Sequence, residues 1–129
     1  MAKHVVARTG EIPPGGRKLV TVRGREIGIF NLDGAFFALF NRCPHQGAPL
    51  CSGEIVSRLE SALPGDYRLS RPGEMLRCPW HCWEFDIRTG QSWCEPNSVL
   101  ARTFPVTTEL LVAETVDVTI AERYVVVTL

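Results

Sequence analysis

Neither sign of charge predominates in this chain: 14 Lys and Arg stand against 14 Asp and Glu. That balance removes the broad basic field that draws a protein to nucleic acid or anionic lipid. Long apolar runs are missing too. The longest, Ala35 to Phe40, falls far short of the roughly 20 residues a membrane span needs, so neither nucleic acid nor membrane is an expected partner. The opening Met1-Ala-Lys-His lacks the apolar stretch of about 7–15 residues found in a secretory signal, and the expected compartment is cytoplasmic. Histidine is scarce, at three residues, and cysteine stops at five. Five is odd and too few for a disulfide scaffold in a domain of this length. Two of the five lie one or two residues away from a histidine, which makes metal ligation the better explanation.

What is present reads as one mostly-β domain, 1–129, with no room for a second catalytic domain at 129 residues and 14.4 kDa. Arg17 to Val22, Glu26 to Leu32 and Ala35 to Asn41 are rich in β-branched and apolar types and predict successive antiparallel strands. Asp33-Gly34 between the last two is a two-residue turn signal, because a type I′ turn needs positive φ that Gly supplies and Asp tolerates. Pro13-Pro14-Gly15-Gly16 marks a loop. Val116 to Ile120 and Tyr124 to Thr128 alternate across Ala121-Glu122-Arg123 and predict a terminal hairpin. Cys43 to Gly53 and Cys78 to Gly90 show neither helical nor strand period and predict two functional loops on a β scaffold. The segment between them, from Glu54 to Met75, predicts a short strand or helical turn followed by an excursion.

The chemistry lies in Cys43-Pro44-His45 and, beyond residues 46–77, Cys78-Pro79-Trp80-His81. Each loop offers one thiolate and one imidazole. A [2Fe–2S] cluster of the Rieske kind places two Cys on one iron and two His on the other, so the pairing meets its demand. Pro44 and Pro79 stiffen the backbone beside each ligand. A Cys₂His₂ zinc site takes the same ligand types and stays open on ligands alone; the flanking Gly, Pro and Trp favour the cluster. A lone Cys is ordinarily core packing and a lone His a surface group, but two matched pairs argue against coincidence.

The two loops, CPHQGAPLCSG from Cys43 and CPWHCWEFDIRTGQ from Cys78, resemble those of the Rieske [2Fe–2S] ferredoxin-like family beyond the ligands themselves. The resemblance extends to the N-terminal strands, the Asp86 to Gly90 turn and a closing Phe104-Pro105-Val106 strand. It implies an antiparallel β sandwich or barrel with a small cluster-binding subdomain made of the two loops, and an insertion at about 54–75. It also implies one [2Fe–2S] cluster held by Cys43, His45, Cys78 and His81, with Gln46, Gly47, Ala48 and Leu50 as one wall and Trp80, Trp83 and Phe85 as another. The implied role is a soluble carrier of single electrons from a flavin-dependent reductase to a terminal oxygenase, leaving by the His45 and His81 rings and not catalytic alone. Alternatives are the small Rieske-like subunit of a nitrite reductase, or a redox-sensing module that docks through residues 54–75. A self-contained oxygenase would need two further His and a carboxylate on a mononuclear iron, and only His4 remains.

The chain also departs from the family. Cys82 stands where similar ferredoxins carry Gly. Cys51 and Cys82 do not match the offsets of the disulfide in Rieske proteins of cytochrome bc complexes, so no bridge is expected. Those proteins place Ser and Tyr hydroxyls where this chain has Trp83 and Phe85, and loss of hydroxyl donors lowers the potential, here to the lower third of a range of about −150 to +300 mV. Cys94 is expected to be a buried small hydrophobe and His4 a solvent-facing side chain.

Overall fold

In the computed structural model, residues 2–63, 65–80, 83–114 and 119–129 are described, with side chains omitted at 58–63, 66–72, 112–114 and 119–121. Among these residues ten strands follow in order: β1 Lys3–Arg8, β2 Arg17–Val22, β3 Arg25–Leu32, β4 Ala35–Phe40, β5 Glu54–Leu63, β6 Asp66–Arg77, β7 Glu84–Asp86, β8 Thr103–Phe104, β9 Val106–Glu114 and β10 Thr119–Thr128. They form three antiparallel sheets, ordered β1-β10-β9, β2-β3-β4-β8 and β5-β6-β7. Helix among the described residues is limited to 3₁₀ turns at Thr9–Glu11 and Leu50–Ser52, and no helix is long and apolar enough to cross a membrane. The expected mostly-β antiparallel architecture is the observed one.

The Asp33-Gly34 turn takes φ of 52° and 91°, the two positive values a type I′ hairpin requires. Arg23-Gly24 does the same between β2 and β3, at 52° and 78°; its arginine hid the turn from a search for Asn-Gly or Asp-Gly.

Strand β3 organises the interior through its two-residue period. Ile27 and Ile29 enter one core with Ala7, Ile12, Phe104, Val125 and Val127, while Phe30 and Leu32 enter a second with Leu39, Leu50, Leu76 and Phe85. That second core also contains Cys43, Cys51 and Cys78, so the roots of both loops rest on the rigid middle of the molecule.

Four local expectations need correction. Ala121-Glu122-Arg123 is not a turn: it lies within β10, opposite Val112, Leu111 and Leu110 of β9. Those three residues include no Gly, Asn or Asp to hold positive φ; residues 115–118 lie outside the described ones. The segment from Glu54 to Met75 is a long hairpin of β5 and β6, extended to Arg77, because a sheet partner overrides weak local pattern. The second loop contains β7, which continues that sheet by pairing Met75, Leu76 and Arg77 with Asp86, Phe85 and Glu84. Phe104-Pro105-Val106 is not one strand, since proline lacks the N–H a ladder needs: β8 ends at Phe104 on β4, and β9 starts at Val106 on β10.

Candidate metal centre

The two loops close in the same way. The Cys43 N–H donates to the Ala48 carbonyl at 2.8 Å and the Cys78 N–H to the Trp83 carbonyl at 2.7 Å, five residues on in each case. The first loop is tightened by Gly47, whose N–H donates to the Cys43 carbonyl at 2.8 Å and whose φ of +80° suits glycine. Its ring of backbone turns the N–H groups of His45 and Gln46 onto the Cys43 sulfur.

Cys43 and Cys78 are both buried in the same core, and their thiols lie close enough to influence one another electrostatically. Burial, reinforced by the neighbouring Cys78, pushes the Cys43 thiol up from its ordinary value, while the two N–H donors oppose the shift. A buried thiol pair facing N–H donors suits a metal that takes over the protons' place, because ligation requires thiolate and the donors stabilise its charge. His45 is exposed and stacks on Trp83 with ring centroids 4.7 Å apart and planes at 21°. Among the described residues, no group of three or more His, Cys, Asp or Glu side chains is gathered that could hold one ion. The expectations on His81 and Cys82 lie outside the described residues.

Of the residues expected to wall the cluster, Ala48, Leu50 and Phe85 are buried, Gly47 and Trp83 are half-buried and Gln46 is exposed. Trp80 is 57% exposed, since the loop closure between Cys78 and Trp83 leaves residues 79 and 80 on the outside. Cys94 is likewise exposed rather than buried. It sits in a turn where Glu95 N–H bonds the Ser92 hydroxyl at 3.1 Å and Ser92 takes the buried place. His4 is half-buried rather than solvent-facing, and its Nε2 is covered without a hydrogen-bond partner.

Several supports carried no sequence signal. Arg17 on β2 donates from one guanidinium nitrogen to the Cys51 carbonyl at 2.8 Å and also to the Gly53 carbonyl, tying the end of the first loop to the central sheet. Asn41 accepts the Cys51 N–H at 2.7 Å. Under the second loop, Arg77 pairs with Glu84 at 2.9 Å. All three depend on partners that only the fold supplies; an Arg or Asn at a strand end is otherwise unremarkable.

Cys51 is free, as expected, and its thiol donates to the Leu39 carbonyl at 3.4 Å. Gly28 makes room for it, because a Cβ there would sit 2.6 Å from the Cys51 sulfur. Burial pushes this thiol up to about 12. Since the folded value lies above the unfolded one, the neutral thiol contributes stability fully below the unfolded value, and that contribution is lost as pH rises through the interval up to about 12. Cys51→Ser is expected to keep iron, sulfide and potential near wild type, and to weaken the alkaline loss. Urea midpoints at about pH 8 and about pH 10 for both chains check it; a lost cluster would give Cys51 a role in the site.

The antiparallel β domain thus brings two similarly closed loops together over a pair of buried cysteines, with the His45 imidazole at the exposed side. The model of the Rieske [2Fe-2S] domain family matches residues 2–105, and the chain belongs to that family. Its cofactor is accordingly one [2Fe–2S] cluster. The chain is similar to the ferredoxin component of the naphthalene 1,2-dioxygenase system of Pseudomonas aeruginosa, 30% identical over 99 residues, 77% of this chain and 80% of the relative. Among solved structures it is similar to the Sphingomonas yanoikuyae B1 ferredoxin, with a TM-score of 0.61 and 27% identity over 84% of this chain and 91% of the other. It shares its fold, at TM-score 0.64 and 20% identity over 99% and 96% of the two chains, with a protein from Mycobacterium tuberculosis described as a candidate NADH-dependent nitrite reductase small subunit.

Proposed function

We propose that this chain is a cytoplasmic ferredoxin that accepts single electrons from a flavin-dependent reductase and delivers them to a terminal oxygenase, with Cys43, His45, Cys78 and His81 holding its cluster. The observation that carries the reading is the meeting of the Cys43 and Cys78 thiols at the base of two loops, with His45 exposed beside them. The relative from Pseudomonas aeruginosa is named as the ferredoxin component of a dioxygenase system, which supports the choice of partners. The nitrite reductase likeness reaches the fold alone.

When bound, the cluster supplies a one-electron couple with no coordination position left for a substrate. The protein's part is to bury the thiolate side, point the N–H groups of His45 and Gln46 at the Cys43 sulfur, and leave the His45 ring in solvent as the point of contact with a partner. Burial and donors pull the potential in opposite directions.

The test is visible absorption and low-temperature EPR of protein purified without oxygen, before and after dithionite, with iron, sulfide and zinc assayed on the same sample. A reducible [2Fe–2S] signal with the low average g of mixed ligation is expected; a colourless chain with one zinc and no sulfide overturns the reading. The ligand assignment has its own check. His45→Cys is expected to move the midpoint sharply down, toward the about −400 mV of all-cysteine clusters, because thiolate donates more electron density than imidazole. An unchanged midpoint in redox titration would sink His45 as a ligand.

A further inference from the structure

We infer that Trp83 is a positioning residue that sets the orientation of the His45 ring at the cluster; the inference rests on the proposed role of His45 as a ligand. The stack is close and nearly parallel, at 4.7 Å and 21°, which places the indole over a face of the imidazole. Trp83 is itself held from behind by Phe85, with centroids 6.4 Å apart and planes at 25°, and Phe85 is fully buried in the core that contains Cys43 and Cys78. An aromatic column thus runs from the interior, through half-buried Trp83, to exposed His45.

The backbone of Trp83 is pinned as well, since its carbonyl accepts the Cys78 N–H at 2.7 Å. One residue of the second loop therefore fixes a thiolate ligand of its own loop through the main chain and an imidazole of the other loop through its ring. An exposed histidine rotates about two side-chain bonds unless something holds the ring plane. A partner on that face supplies the restraint, as residues outside the ligand set orient ligands in metal sites generally. The ligand's orientation sets how its nitrogen couples to the unpaired electron of the reduced cluster, so the effect is read without any redox partner.

The experiment compares wild type, Trp83→Leu and Trp83→Phe by pulsed EPR of the reduced proteins, with iron and sulfide contents and redox titration. In Trp83→Leu at full iron and sulfide, the imidazole nitrogen coupling shifts or broadens relative to wild type and the midpoint moves; Trp83→Phe restores both toward wild type. Unchanged couplings in a fully loaded Trp83→Leu overturn the inference. If Trp83→Leu does not load, Trp83→Phe decides: full loading with wild-type couplings supports the stack, and failure to load shows that the site needs the bulk of tryptophan, which also overturns it. A wild-type chain without iron and sulfide overturns the cluster reading itself, a result seen before any variant is measured.

Discussion

Cys78→Ser is expected to emerge from anaerobic purification colourless and nearly free of iron and sulfide. Cys78 is buried, its thiol meets that of Cys43, and its N–H closes the second loop on Trp83. Serine preserves the loop closure and most of the volume, but its hydroxyl does not ionise at neutral pH and is a poor ligand for iron beside sulfide. Cys43→Ser is expected to behave alike, with the N–H groups of His45 and Gln46 then facing a neutral oxygen. Because binding a metal cluster is linked to folding, both variants should also unfold at lower urea concentration than the loaded wild type. Cys51 supplies the contrast: it is as buried as Cys78, yet its thiol is occupied with the Leu39 carbonyl, and its serine variant is expected to stay coloured. Iron and sulfide analysis of the three variants side by side separates ligand from packing, and colour retained by Cys78→Ser would refute the assignment of the thiol pair.

Gly53→Ala should be the most damaging single methyl group. The backbone at Gly53, with φ of −73°, is acceptable to alanine, so the obstacle is steric: a Cβ there would sit 1.9 Å from the Arg77 carbonyl oxygen and 3.0 Å from that of Leu50. Gly53 ends the first loop and Arg77 immediately precedes Cys78, so this is where the roots of the two loops touch. Arg17 clamps the same point through the Cys51 and Gly53 carbonyls. Backbone atoms cannot swing aside like a side chain, and relief requires the roots to separate, taking Cys43 away from Cys78. We expect a loss of about 3 kcal/mol, at or beyond the upper end of ordinary overpacking, together with a reduced iron content. Urea unfolding reads it as a lowered midpoint at unchanged slope. Gly10→Ala is the control: its Cβ would meet nothing within 4 Å, and its midpoint should stay within about 0.5 kcal/mol of wild type. Equal midpoints for both variants would show that the loop roots are not in contact as described.

The chain's local chemistry made much of this legible. Asp33-Gly34 announced its turn because positive φ is a property of two residues and needs no partner. The alternation of Ile27 and Ile29 with Phe30 and Leu32 announced a strand, though not that both its faces are buried, which follows from a second core on the other side. The β10 partner was misplaced because Ala121 to Arg123 looks polar enough for a turn, whereas pairing with β9 runs through it without a break. The exposures of Cys94, Trp80 and His4 were likewise decided by neighbours rather than by residue type.

By itself, the sequence determined that one Cys and one His stand together in each of two loops, because spacing within a loop is covalent. Only the tertiary structure decided which groups surround and support those loops. The Arg17 guanidinium reaches carbonyls 34 and 36 residues away, Gly53 gives way to Arg77, and Trp83 reaches across from the second loop to His45. Those contacts depend on the register of three sheets and on how the two loops pack together, and no local pattern of residues encodes a distance between segments that meet only after folding.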